Sequence, residues 1–444
     1  MTRAALAASA RPWLAALAAS LVALWMFWPG YTSVDSLYQY QQALAGRYDN
    51  VHPPLFAFAW RALAMAWPGS GAMHALLVGG FFLGLARTLW ALPLGERTRL
   101  VAFVAIGAWP PVLLVVAHVW KDVAMCAAML LGCAAVLRHR TGGGHRDAAF
   151  AVAWLALAVA MRHNAWPAVL PFVALLFAPR TEVTPLASRV RRWAAGVAIA
   201  LALLAVPRAI EHALSAERRP LWPTVALWDL AAVSLATGEV RLPRAVAPTL
   251  ALADLAAHYR AWSCVPLYDS GLIRLALHVP YTEAEVRAVD AAWLAGVRDA
   301  PGAYLAHRAR VLAGLYWRPP SDAPRELVYV AAHRVAAPER AAPAPTRLVL
   351  AFAARAWDTP AFAWLPYLAL ALLSLPFARP RARTVPLLLV ASAACYAAPL
   401  ALVATSSEYR YVFWPVVACL LATAAALGSR SGARRQVAHS DRRE

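Results

Sequence analysis

The sequence predicts an all-α polytopic membrane protein with about ten transmembrane helices. Of its 444 residues, 61% are hydrophobic and only 15% are charged, and the mean hydropathy is +0.54. Soluble globular chains carry about 25% charged residues. The apolar residues also come in blocks, and the five cysteines show no disulfide spacing. These observations exclude a soluble enzyme, a disordered chain and a secreted disulfide scaffold.

The apolar blocks have the lengths that membrane spans need. A bilayer core of about 30 Å requires roughly 17–25 apolar residues per helix. The first block suits a retained span better than a cleaved signal. The predicted spans are 13–29, 72–93, 99–117, 122–138, 148–161, 165–178, 193–210, 361–378, 384–404 and 411–427. The spans 148–161 and 165–178 are short enough to be half-membrane helices.

The segment 53–67 is also apolar, but Arg61 lies in its middle. An arginine at the bilayer centre costs about 2.5–3.5 kcal/mol, so we expect an amphipathic helix at the interface instead. With ten spans and both termini cytoplasmic, the inner segments are rich in arginine and poor in acids. The inner clusters are Arg138 and Arg140, Arg189 to Arg192, Arg379 to Arg383 and the tail 429–444. This asymmetry accounts for most of the net charge of +19, so no nucleic-acid partner is predicted.

The predicted topology divides the chain into four parts. Residues 1–210 form an N-terminal membrane module with the first outer loop at 30–71, residues 211–360 an extracytoplasmic region, residues 361–428 a three-span segment and residues 429–444 a basic tail. The region 211–360 contains 16 Arg and 14 acids. Within it we predict helices over 249–260, 282–298 and 301–316 and a linker over 319–346. Thr282 and Glu285 have the spacing of a capping box.

The first outer loop contains the first candidate catalytic residue. Ser33 as N-cap and Gly46 as C-terminal stop predict a short helix over 34–45 with Asp35 in its first turn. In one interpretation the helix dipole merely favours a carboxylate at this position. In the other, Asp35 is a general base at the membrane surface that accepts a proton from an acceptor hydroxyl.

Further polar side chains gather at the predicted outer helix ends, where charges are costly unless they are paired or line a polar cavity. They are His52, His118, Lys121, Asp122, Arg162, His163, Asn164, Glu408 and Arg410. Tyr31 is one of the aromatic residues at the same level, which either form the interfacial belt or stack on sugar rings. Lys121, the only lysine, either binds a phosphate or extends to the interface, and Arg162 has the same two interpretations. Glu408 either contributes to the site or only neutralises Arg410. Three cations and one carboxylate at this level suggest a site for an anionic lipid headgroup.

Motifs of other chemistries are absent from the sequence. There is no HExxH, no Cys/His spacing of a zinc site, no Walker loop and no GxSxG. We therefore predict no cofactor, and the residues give no support for a divalent metal.

The order of these features resembles the GT-C superfamily of integral-membrane glycosyltransferases. The branch it resembles uses polyprenyl- or dolichyl-phosphate sugars, as protein mannosyltransferases and aminoarabinose lipid A transferases do. The similar part, about 13–180, contains the loop YTSVDSLYQYQQALAGRYDNVHPPL and the turn WPGSGAMHALL. The resemblance implies that Asp35 is the catalytic carboxylate and that Lys121, Arg162 and Arg410 bind the donor phosphate.

The chain also departs from the family pattern. Many members carry two adjacent acids in this loop, whereas here Ser36 follows Asp35 and the candidate second acid is Asp49. The metal that such an acidic pair binds in some members is therefore not carried over. The region 211–360 corresponds to no acceptor-binding domain of the family.

The resemblance implies a glycosyltransferase of the bacterial inner membrane. It would transfer a sugar from a polyprenyl-phosphate donor to an extracytoplasmic lipid, glycan or protein. A transporter or flippase of an anionic lipid-linked substrate would use the same cations without a base. A glycan polymerase or ligase would take a diphosphate-linked donor. The clustered outer charges argue against a purely structural membrane protein.

Overall fold

The computed structural model describes residues 3–179, 185–273, 280–321 and 341–429, and in these ranges the protein is all-helical. The only β-type pairings there are isolated bridges. The α-helices are α1 (Arg3–Phe27), α2 (Val34–Ala45), α3 (Pro54–Ala66), α4 (Gly71–Ala91), α5 (Glu96–Gly107), α6 (Pro110–Val116), α7 (Lys121–Arg140), α8 (His145–Met161), α9 (Trp166–Phe177), α10 (Leu186–Ala213), α11 (Trp222–Thr237), α12 (Leu252–His258), α13 (Val265–Asp269), α14 (Glu283–Asp299), α15 (Pro301–Tyr316), α16 (Ala344–Ala356), α17 (Leu365–Ser374), α18 (Thr384–Ala397), α19 (Leu400–Val403) and α20 (Phe413–Gly428). The basic tail beyond residue 429 and most of the predicted linker 319–346 lie outside the described residues.

Six helical segments of the described chain are long and apolar enough to cross a membrane. They are Ala10–Phe27, Gly71–Ala91, Lys121–Arg140, Leu186–Ala213, Pro380–Val403 and Tyr409–Gly428. The predicted spans 148–161, 165–178 and 361–378 correspond to the shorter helices α8, α9 and α17. The protein is therefore a helical membrane protein, and the total of ten spans remains a prediction.

The predicted span 99–117 is not one straight helix. It consists of α5 and α6, which are bent by 68° at the break between them. Pro110 and Pro111 open α6, and Trp109 before them has extended backbone angles. A residue before proline is driven out of the helical region, which explains the break.

Buried hydroxyl groups link the central helices of the bundle. Thr88 of α4 donates to the carbonyl of Leu130 in α7 at 2.7 Å. Ser392 of α18 donates to the carbonyl of Ala168 in α9 at 2.7 Å and accepts from Trp414 of α20 at 3.0 Å. Such bonds hold membrane helices together where burial of apolar surface gives no net attraction. In contrast, α1 and α10 at the edge expose many apolar side chains, as lipid-facing helices do.

Helix α2 in the loop 30–71 has the ends that its sequence predicts. Helix α2 begins after Ser33, which forms a capping box with Ser36, and ends at Gly46 with a φ of +66°. The apolar segment after it forms helix α3, and Arg61 of α3 donates to the carbonyl of Ala43 at 3.0 Å and to that of Leu44 at 3.2 Å. Arg61 therefore satisfies free carbonyls at the end of α2, which gives this charge a structural role.

The region 211–360, called the outer region after its predicted side, contributes buried apolar residues to the hydrophobic core. The three predicted helices are present as α12, α14 and α15, and Thr282 and Glu285 form the expected capping box. Three further helices, α11, α13 and α16, were not predicted. Helix α11 is almost entirely buried and packs against α14 and α15.

Candidate functional site

Two hydrogen bonds place the start of α2 beside the start of α7. The amide of Val119 donates to the carbonyl of Tyr31 at 2.8 Å. The hydroxyl of Ser36 then donates to the carbonyl of Val119 at 2.8 Å. Because Asp35 precedes Ser36 and Lys121 opens α7, these two bonds bring the carboxylate and the ammonium to the same level of the protein.

Six residues that the sequence singles out line one cavity of about 300 Å³. They are Asp35, His52, Lys121, Arg162, Glu408 and Arg410. They come from α2, from the loop before α3, from the start of α7, from the junction of α8 and α9 and from the segment before α20. The fold thus converts charges that are far apart in sequence into one polar site.

Asp35 is an ionised carboxylate bonded to an arginine. Nη1 of Arg410 donates to its Oδ2 at 2.7 Å, and Nε of Arg410 donates to Glu408. The side chain of Arg410 is only 8% exposed, and its guanidinium lies over the ring of Trp120 at 4.9 Å. Burial alone would raise the pKa of Asp35, but the charges of Arg410 and Lys121 hold that pKa well below its usual value.

His52 is a neutral side chain between Lys121 and Asp35. Burial, reinforced by the charge of Lys121, lowers the pKa of His52 to about 3. The Lys121 ammonium donates to Nδ1 of His52 at 2.5 Å. An ammonium can only donate, so the ring proton lies on Nε2, which is 3.8 Å from Oδ1 of Asp35. The hydrogen-bond partner of Lys121 is therefore a neutral group.

Arg162 is held by a carboxylate behind the cavity wall. Its Nη1 donates to the fully buried Asp122, and its Nε donates to Oδ1 of Asn164 at 3.2 Å. Its guanidinium also lies 4.9 Å from the ring centre of Tyr411. Burial opposes the charged form, but Asp122 outweighs it and raises the pKa of Arg162 above its usual value. Asp122 and Asn164 therefore support the site through Arg162.

Other residues that the sequence singled out lie away from the cavity. Tyr31 is buried, and its ring meets that of His118 edge-on at 5.4 Å. Asp49 accepts from the hydroxyl of Tyr38 and does not line the cavity, so it is not placed as a second acid beside Asp35. His163 lies 3.9 Å from Glu211 in a neighbouring cavity.

The outer region supplies a wall that the sequence did not predict. This wall comprises Leu221, Thr224, Cys264, Val265, Tyr268 and Asp269. Asp269 adds a third carboxylate to the cavity, after those of Asp35 and Glu408. The region 211–360 is polar and has nearly equal numbers of arginines and acids. One aspartate among them has no distinguishing sequence pattern, so Asp269 could not be predicted.

The chain was compared with family models, curated proteins and solved structures. No family model, curated protein or solved structure matches the chain. Within the described ranges, no group of three or more His, Cys, Asp or Glu side chains is placed to hold a metal ion. The side chains that line the cavity include carboxylates, cations and the neutral His52.

An apolar groove of about 760 Å³ is lined by the same segments that form the polar cavity. Its wall includes Leu55, Ala124 and Met161. These residues follow His52 by three positions, follow Lys121 by three positions and immediately precede Arg162. The combination of a polar cavity with an apolar groove on shared segments suits a ligand that has an anionic headgroup and a long apolar tail.

Proposed function

We propose that the protein is a membrane glycosyltransferase that transfers a sugar from a polyprenyl-phosphate donor to an acceptor on the extracytoplasmic side. The convergence of Asp35, Lys121 and Arg162 on one cavity carries the proposal. The apolar groove on the same segments supports it, because an isoprenoid tail needs such a surface. The proposed setting is a bacterial inner membrane with both termini cytoplasmic.

The proposed reaction needs a base and a site for the leaving group. The acceptor hydroxyl oxygen attacks the anomeric carbon, and the bond from that carbon to the phosphate oxygen breaks. The hydroxyl proton passes to Asp35, and polyprenyl phosphate leaves. Negative charge grows on the phosphate in the transition state, where Lys121 and Arg162 stabilise it.

Arg410 couples donor binding to the basicity of Asp35 in this proposal. A carboxylate bonded to a guanidinium is a weak base, because the pair favours the ionised form. A bound phosphate competes with Asp35 for the donors of Arg410. Weakening of that bond raises the pKa of Asp35, so the base becomes stronger only when the donor is present.

The proposal is tested by mass spectrometry of surface glycans and glycolipids from a deletion strain. The strain is complemented with wild type, with Asp35→Asn or with Asp290→Asn, an exposed aspartate of α14 outside the cavity. We expect one sugar to vanish on deletion and to return with wild type and Asp290→Asn but not with Asp35→Asn. In the same assay Lys121→Ala and Arg162→Ala should reduce the product far more than Arg146→Ala at the predicted inner face.

Full restoration by well-expressed Asp35→Asn would overturn the transferase proposal. A transporter or flippase that needs the cations but no base would then be favoured. Accumulation of a diphosphate-linked glycan in the deletion strain would instead identify a polymerase or ligase. In both cases the mass of the missing or accumulated species identifies the substrate.

A further inference from the structure

A second polar cavity lies at the opposite end of the helix bundle from the candidate site. Helix α7 begins with Lys121 at the first cavity, and its last residue, Arg140, lines the second one. At about 1.5 Å of rise per residue, 20 residues separate the two by about 30 Å, the thickness of a bilayer core. The second cavity has a volume of about 410 Å³.

Three guanidinium groups from three separate elements line this cavity. They belong to Arg99 of α5, Arg140 of α7 and Arg381 of the 3₁₀ turn before α18. No acidic side chain of the described chain is part of the lining. Arg99 donates from Nη2 to the carbonyl of Leu92 at 2.9 Å, while its buried Nε meets no acceptor in the described chain. Arg140 donates to the carbonyl of Ala178 at 2.6 Å.

A helix start adds further donors to the same wall. Helix α18 begins at Thr384, which lines the cavity, and no side chain caps it. The first backbone amides of a helix lack intrahelical partners and carry the positive end of its dipole, so they favour an anion. The start of α18 and the three guanidinium groups therefore favour the same kind of ligand.

Two acids near this end of the bundle are engaged with other arginines. Glu96 accepts from Arg11, and Asp147 accepts from Nε of Arg138 at 2.9 Å. Neither Arg11 nor Arg138 lines the cavity. Each of these carboxylates is therefore bonded to an arginine outside the cavity, although the charge of Glu96 also acts on Arg99.

We infer that this cavity binds a phosphate group, presented either by an anionic phospholipid or as free inorganic phosphate. Guanidinium groups match phosphate oxygens in charge and in hydrogen-bond geometry. Basic pockets between helices on the cytoplasmic side of a membrane are suited to anionic lipid headgroups. The inference is independent of the reaction proposed for the outer cavity.

The test uses the full chain in two kinds of lipid nanodisc. Phosphatidylglycerol is titrated into phosphatidylcholine nanodiscs, and the lipid bound to the protein is measured by native mass spectrometry. In parallel, inorganic phosphate is titrated into nanodiscs of phosphatidylcholine alone. The variant Arg99→Gln with Arg381→Gln is compared with Arg97→Gln with Arg379→Gln. The second pair removes the same charge from the same two segments but from side chains that do not line the cavity.

We expect the first pair to weaken binding of phosphatidylglycerol or of phosphate by about tenfold or more, as loss of charge-assisted hydrogen bonds predicts. The control pair should change it less than about twofold, because neither side chain lines the cavity. A loss confined to phosphatidylglycerol identifies the lipid as the source, and a loss confined to inorganic phosphate identifies the free ion. The inference would be overturned if both double variants lost binding equally, or if the first lost binding of neither phosphatidylglycerol nor phosphate. Arg381→Gln alone repeats the comparison if the double variant does not fold.

Discussion

Asp35 and Arg410 form an ion pair in the candidate site. Removing Arg410 alone should destabilise the protein more than removing both charges. Arg410→Gln leaves the Asp35 carboxylate, which is 28% exposed, without its guanidinium. We expect a loss of about 2 kcal/mol, less than for a fully buried pair because water reaches Asp35. Adding Asp35→Asn removes the unpaired charge, so the double variant should be more stable than the sum of the single effects.

Chemical unfolding in detergent measures this cycle. Arg287→Gln is the matched control, because Arg287 pairs with Glu283 on an exposed face of α14 at 3.4 Å, and such pairs contribute about 0.5 kcal/mol or less. Strict additivity of Arg410→Gln and Asp35→Asn would show that the two side chains do not interact.

The neutral state of His52 predicts a pH dependence of stability. Its pKa is about 3 in the folded protein and 6.5 when unperturbed. Between these values the unfolded chain binds a proton that the folded chain does not, so stability falls as the pH falls from 6.5 towards 3. The slope reaches about 1.4 kcal/mol per pH unit. Between pH 7 and pH 5, His52→Gln should therefore lose less stability than wild type, and the exposed His145→Gln should behave like wild type. Equal losses in His52→Gln and wild type would refute a neutral His52.

The bounds of a helix could be predicted from the sequence where residues at its own ends mark its start and stop. Helix α2 was predicted to the residue because Ser33 and Gly46 mark its two ends in the sequence. The segment 99–117 was expected to be one span because its apolar length outweighed Pro110 and Pro111, and the structure bends there. Helix α11 was missed because it is too short for a span and lies in a region that is polar on average.

Arg308 of α15 connects the outer region to the segment that carries the site. Its Nη1 donates to the carbonyl of Ala404 at 2.8 Å, and its Nη2 lies 2.6 Å from Oδ1 of Asp229. The segment continues from Ala404 to Glu408 and Arg410. The side chains of Arg308 and Asp229 are 5% and 1% exposed, so the pair is buried and has a structural role.

We expect Arg308→Gln to destabilise the protein by about 3 kcal/mol, because it leaves the carboxylate of Asp229 buried without its guanidinium. It should also reduce the glycan product, since the segment that carries Arg410 loses its anchor. Arg310→Gln, an exposed change two residues further along α15, should affect neither quantity. Thermal unfolding measures the stability, and mass spectrometry measures the glycan product. If Arg308→Gln matched Arg310→Gln in both quantities, Arg308 would not anchor the segment that carries Arg410.

The cost of placing charges near the bilayer explains which site residues could be predicted from the sequence. Charges near the bilayer are rare because they are costly, so Asp35, Lys121 and Arg162 could each be recognised from the sequence and do lie at one cavity. In the outer region a charge costs little, so Asp269 could not be recognised. Asp49 was chosen for its nearness in sequence to Asp35, but its bond to Tyr38 places it elsewhere.

The ten-span topology makes a prediction about which surfaces face outwards. Asp290 on α14 should be extracytoplasmic, and Arg146 at the start of α8 should be cytoplasmic, because the inner face attracts arginine. Four of the five native cysteines are buried, so a membrane-impermeant maleimide should give little background in intact cells. Asp290→Cys should react in intact cells, and Arg146→Cys only after lysis. The ten-span prediction places an odd number of spans between the two positions, so they should lie on opposite sides of the membrane. Reaction of both variants in intact cells would contradict it. Reaction of Arg146→Cys alone would invert the orientation and place the cavity of Asp35 on the cytoplasmic side, where the donor would have to be a cytoplasmic one.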